Sequence, residues 1–141
     1  LLIFFAKRNY KKVVEIYRNL LTHSSLISIT AVIILIFFIK EPFLLWTKGV
    51  IEWEINFFLI FLFASLLNWL NLPTIILPYT INKHTGLNKI HLLNFIVYWI
   101  VLLFLFDTFG LYAVPSALLF SSLYFLIHNF IYTRNMFKKY L

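Results

Sequence analysis

Four stretches of this chain contain no Asp, Glu, Lys or Arg: residues 19–39, 55–82, 90–106 and 108–133, which are 21, 28, 17 and 26 residues long. A hydrocarbon core about 30 Å thick takes roughly 20 helical residues to cross. Three of the stretches meet that length, and the shortest reaches it when Asn88, Lys89 and Asp107 extend it into the head groups. Lipid offers the backbone no hydrogen-bond partner, so each crossing must be helical. The runs are continuously apolar, without the period-two alternation of a barrel strand. The expected fold is therefore all-α: a polytopic membrane helix bundle of about four transmembrane helices, at 19–39, 55–80, 89–107 and 110–133.

Composition removes the soluble alternative. Apolar residues make up 62% of the chain and charged residues 12%, half the usual share, too few to cover the surface of a water-soluble domain. The chain has no cysteine, which excludes disulfides and thiolate metal sites. Leu1–Ala6 reads as the tail of a preceding apolar helix. Met136 is the only methionine, and the chain reads as a fragment of a longer protein.

The basic residues set an orientation. Lys7, Arg8, Lys11, Lys12 and Arg18 precede the first span, Lys83 and Lys89 lie between the second and third, and Arg134, Lys138 and Lys139 follow the fourth. The opposite side holds only Lys40 and Lys48, together with Glu41, Glu52, Glu54 and Asp107. The positive-inside rule then places both ends and the loop around His84 in the cytoplasm, which four crossings require. The net charge of +7 flanks apolar spans and leaves no exposed stripe to track phosphates, so nucleic acid is not an expected partner.

Residues 1–20 form a different kind of segment. Tyr10, Val13, Val14 and Tyr17 recur at helical spacing, while Arg8, Lys11, Lys12, Glu15 and Arg18 share the other face. This predicts a basic amphipathic helix in the cytoplasmic interface, attracted to anionic membrane lipids, with a plain lead-in to the first span as the alternative. Residues 134–141 are expected to form a cytoplasmic tail. In the outer loop, Trp46 and Trp53 are expected interface anchors, and Pro73 and Pro78 are expected to bend the second span.

Polar groups inside the spans are the candidate functional residues. Ser65, Asn68 and Asn71 follow one another at i+3; His91, Asn94 and Tyr98 share a face; and Ser121, Tyr124, His128 and Tyr132 share another. Two readings are open. In one, Ser65, Asn68, Asn71, His91, Asn94, Tyr98, Tyr124 and His128 line a substrate or ion path. In the other, the same groups hydrogen-bond between helices and hold the bundle together. Gly110, Ala113, Ala117 and Ser121 form a small-residue stripe that lets a neighbouring helix approach closely. No nucleophile–base pair, histidine metal spacing or glycine-rich phosphate loop is present, so an enzyme is not expected, nor is a bound cofactor or metal.

The order of features resembles the C-terminal half of polysaccharide flippases, the O-antigen and teichoic-acid exporters of the superfamily that also holds multidrug and lipid II exporters. A basic amphipathic segment leads into a helix. An outer loop follows, Glu41-Pro42-Phe-Leu-Leu-Trp46-Thr-Lys-Gly49. A long helix with Asn68, Asn71 and Pro78 then ends in Asn82-Lys83-His84-Thr85-Gly86, and a last helix opens at Gly110-Leu111-Tyr112-Ala113-Val114-Pro115. Ala113 stands where that family often has a second glycine. The resemblance implies a fragment of a 12–14-helix two-lobe transporter in a bacterial inner membrane. It would move a lipid-linked oligosaccharide by alternating access, in partnership with the remainder of its own chain. No span carries Lys or Arg at mid-depth, so groups that grip a pyrophosphate would lie in the other lobe. A multidrug-type exporter would carry acids at mid-depth, and none is present. The alternative of a different class is a four-helix membrane subunit or scaffold without transport activity.

Overall fold

The computed structural model describes residues 1–140, and these contain helices and turns but no strand. The helices are α1 (Leu2–Ala6), α2 (Tyr10–Phe38), α3 (Lys40–Thr47), α4 (Ile55–Thr80), α5 (Thr85–Phe109) and α6 (Ala113–Tyr140), with a 3₁₀ turn at Gly110–Tyr112 between the last two. Leu141, the end of the expected tail 134–141, lies outside the described residues.

By length and composition three helical runs are able to cross a bilayer: Tyr10–Phe38, Ile55–Thr80 and Thr85–Lys139. The third is 55 residues long. Straight, it would measure about 80 Å. Gly110 folds it back instead, so that α5 and α6 lie side by side. Gly110 has φ 53° and ψ −127°, a backbone conformation left almost entirely to glycine.

Backbone chemistry explains where the other helices stop. Pro42 has no N–H to offer Phe38, four residues back, and its ring presses on that carbonyl; α2 ends at Phe38. Three helices close with the same cap. After α1, Asn9 N donates to the Phe4 carbonyl and Arg8 N to Phe5; after α3, Gly49 donates to Leu44 and Lys48 to Leu45; after α4, Lys83 donates to Pro78 and Asn82 to Tyr79. This crossed pair of bonds requires a left-handed residue, and Arg8, Lys48 and Asn82 have φ of 55°, 52° and 53°.

Several boundaries differ from the sequence expectation: α5 runs Thr85–Phe109 against the expected 89–107, and α6 begins at Ala113 against 110. Residues 10–20 and 19–38 are one unbroken helix, with Asn9 capping it by accepting from Lys12 N at 3.2 Å. The change from basic amphipathic to apolar composition at Asn19 does not interrupt the backbone. Likewise α6 continues through the expected tail to Tyr140. The bounds of α4 coincide with the expected 55–80.

The helices pack in the order α2–α4–α6–α5: α4 and α6 share the widest contact, α5 lies along α6, and α2 lies along α4. Burial departs from that of a water-soluble domain in its share of polar groups inside and of large apolar groups outside. The bulkiest fully buried side chains are Leu87, Asn71, Asn129, Thr74, Thr133, Pro78, Pro115 and Ser122, most of them polar. Meanwhile Ile27, Phe37 and Phe38 of α2 and Leu92, Leu103 and Phe104 of α5 are exposed. Outward hydrocarbon on this scale is unfavourable in water. In lipid it is neutral, and helix contact then depends on close packing and polar pairing.

Candidate functional site

The buried polar groups meet in a seam between α4 and α6. Its origin is proline chemistry. Pro78 lies inside α4 and lacks the N–H that the Thr74 carbonyl would accept in an unbroken helix. The Thr133 hydroxyl of α6 donates to that carbonyl at 3.1 Å. An acceptor orphaned by proline on one helix is thus satisfied by the neighbouring helix. One turn toward the N-terminus of each helix, Asn129 Nδ2 donates to Asn71 Oδ1 at 3.3 Å. Asn71 in turn donates to the Leu67 carbonyl at 3.2 Å, and the Thr74 hydroxyl donates to the Asn71 carbonyl at 2.6 Å. All four side chains are at most 2% exposed. Asn129 Oδ1 and Asn94 Oδ1 are buried without a hydrogen-bond partner among the described residues.

The seam continues to both sides. Tyr17 of α2 is buried against Val13 and Leu77. Gly86 of α5 sits under the ring of Tyr132, where a methyl group in place of its hydrogen would lie 2.5 Å from ring carbon. That ring is tethered, because the Tyr132 hydroxyl donates to the Lys83 carbonyl at 2.7 Å.

At the far end, aromatic residues gather. Trp53 stacks on Phe58 at 4.2 Å, Phe43 meets Phe58 edge-on at 4.8 Å, and Phe57 meets Tyr112 at 5.7 Å. The Tyr112 hydroxyl donates to the Glu54 carboxylate, which ties the start of α4 to the α5–α6 turn. Trp53 is half-buried in this cluster, whereas Trp46 is exposed.

The eight sequence-predicted residues do not converge on one place. Asn71 lies in the seam. Ser65 is half-buried and Asn68 exposed on α4. His91 is exposed on α5, with its ring 4.5 Å from Phe125. Asn94 and Tyr98 are half-buried; the Tyr98 ring meets Trp99 edge-on at 5.7 Å. Tyr124 and His128 stack at 4.0 Å, and His128 Nδ1 donates to the Tyr124 carbonyl at 2.9 Å. The small-residue stripe divides: Ala113, Ala117 and Ser121 are buried, while Gly110 is exposed and makes the turn. Sequence reasoning missed Thr74, Asn129 and Thr133. The signal that points to Thr74 and Thr133 is Pro78, whose position predicts an orphaned carbonyl at Thr74 and hence a donor on an adjacent helix; no such signal marks Asn129.

Chemically, the seam is built of neutral donors and acceptors with no ionisable acid among them. Among the described residues no three of His, Cys, Asp and Glu cluster as metal ligands. Comparison of the chain with models of protein families, with curated proteins and with solved structures returned no match.

Proposed function

We propose that this chain is a four-crossing part of a membrane flippase that moves a lipid-linked oligosaccharide across a bacterial inner membrane, with both ends of the segment cytoplasmic. Alternating access moves helical lobes as rigid bodies around a central site. The observation that carries the reading is the α4–α6 seam. Hydrogen bonds from Asn129 to Asn71 and from Thr133 to Thr74 join two long helices across their interface, so that they move as one body. The apolar faces of α2 and α5 at the ends of the row suit contact with lipid on one side and with a second lobe on the other. The succession of basic segment, Pro42–Trp46 loop, Asn- and Pro-bearing helix and Gly110 hairpin supports the same assignment.

A second reading, a helical membrane subunit or scaffold without transport activity, is favoured by one specific observation: Asn71 uses its side chain on Asn129 and on its own helix and faces no solvent path.

The test is transport by the full protein that contains this segment. Reconstituted in liposomes with a fluorescent lipid-linked oligosaccharide, it is expected to bring the fluorophore within reach of an external quencher faster than empty liposomes do. Quenching no faster than in empty liposomes, from protein that has inserted and folded, refutes the flippase and leaves the scaffold.

A further inference from the structure

At the end of the helix row where most basic residues gather, α2 and α6 touch without closing. The Tyr17 and Phe137 rings meet at 5.0 Å. Beside them lies an open hollow of about 340 Å³, lined by Tyr17, Phe130, Thr133, Arg134, Phe137 and Lys138. Its wall has two parts: three aromatic rings, and two cations one helical turn apart on α6. Arg134 and Lys138 are exposed. Among the described residues the ion pair is Lys12 with Glu15, and neither Arg134 nor Lys138 has an acidic partner.

We propose that this hollow binds one anionic phospholipid, with its phosphate held by Arg134 and Lys138 and the upper part of its acyl chains laid on Tyr17, Phe130 and Phe137. The i, i+4 spacing puts both cations on one face of α6, close enough to share a phosphate. The arginine fork matches two phosphate oxygens, and the lysine adds a point charge. Depth fits as well. The uncharged run 108–133 ends one residue before Arg134, which sets the two cations at the level of the head groups. A free phosphate would satisfy the cations and leave the aromatic floor wet. A lipid with no net charge would cover the floor and leave the cations uncompensated. An acidic phospholipid meets both requirements, as basic pockets beside membrane helices generally do. The proposal rests on the bilayer reading of the chain and is independent of what it transports.

The experiment uses the full chain purified in a neutral detergent. Phosphatidylglycerol is titrated in, and the bound fraction is read by native mass spectrometry. Each basic residue beside an acidic head group strengthens binding about fivefold, so R134Q/K138Q is expected to weaken it by about 25-fold. The variant K7Q/K89Q removes the same charge elsewhere at the basic end and is expected to change binding by less than about twofold. Phosphatidylcholine is expected not to saturate the site, and inorganic phosphate not to compete. Equal weakening by both double variants overturns the proposal in favour of diffuse attraction. Competition by inorganic phosphate overturns it in favour of a free-anion site, and equal binding of phosphatidylcholine in favour of a plain apolar groove. Flotation with vesicles of phosphatidylcholine and phosphatidylglycerol separates the two levels of the argument. A chain that fails to float refutes the bilayer reading and the site together; one that floats but shows no lipid preference refutes the site alone.

Discussion

Replacing Thr133 with valine removes the hydroxyl that serves the Thr74 carbonyl and keeps the side-chain shape nearly constant. Pro78 cannot supply the intrahelical N–H that this carbonyl would otherwise accept, and the Thr133 hydroxyl takes its place. A buried, unsatisfied acceptor is destabilising by about 1–3 kcal/mol in water-soluble proteins. Hydrogen bonds between membrane helices measure lower, averaging about 0.6 and reaching about 1.7 kcal/mol. Thr133→Val is therefore expected to lower stability by about 1 kcal/mol. Changing the other side of the relationship makes the argument specific. Pro78→Ala restores an N–H four residues after Thr74, and the carbonyl regains its intrahelical partner. In that background Thr133→Val is expected to cost less than about 0.3 kcal/mol, a coupling close to the whole single-mutant effect. Neighbouring effects of the valine, such as any on Tyr17, are common to both backgrounds and cancel in the cycle. The assay is the unfolding free energy of the four proteins in mixed micelles titrated with denaturing detergent. Equal loss in both backgrounds would refute the proline-orphan account of the seam.

Further outcomes follow from the same geometry. Gly86→Ala places a methyl group 2.5 Å from the tethered ring of Tyr132, and is expected to destabilise by about 1–3 kcal/mol; adding Tyr132→Ala should make the alanine at position 86 harmless, and an additive pair would contradict the contact. Asn129→Ala leaves Asn71 Oδ1 without its donor, at about 1 kcal/mol, whereas the double variant Asn71→Leu/Asn129→Leu is expected to lose less than the sum of its singles in the same titration. Gly110→Ala forces a side chain into φ 53°, ψ −127°, at about 1–3 kcal/mol, read as a lower melting temperature with the α5–α6 hairpin the first part to exchange its amide hydrogens.

The helical class and the limits of α4 are legible because both follow from local chemistry. Uncharged runs measure the bilayer, and Pro42 and Gly110 mark breaks by their backbone limits. The continuity of α2 was not legible. Composition changes sharply at Asn19, yet basic and apolar residues alike propagate a helix once Asn9 has capped it. The site was half legible. Asn71 stood out as an amide in an apolar run, but its partner did not, because sequence does not give the rotation of α6 against α4. Tyr124 and His128 were read as one face, and they do stack. The adjacent Asn129, about 100° further around the helix, is the residue that turns inward. Trp46 and Trp53 are alike in composition as interface anchors, yet Trp53 packs on Phe43 and Phe58 while Trp46 stays exposed, a difference that composition does not announce.

The most direct test of the four-crossing account uses the absence of cysteine from the chain. Single cysteines are placed at Asn9, Lys48, Lys83, Thr108 and Lys138, with any cysteine outside this segment replaced. In sealed right-side-out vesicles, the account predicts that a membrane-impermeant maleimide labels positions 48 and 108, and reaches 9, 83 and 138 only after the membrane is opened. Labelling of position 83 together with 48 before opening would mean that α4 does not cross the bilayer, and would contradict the account.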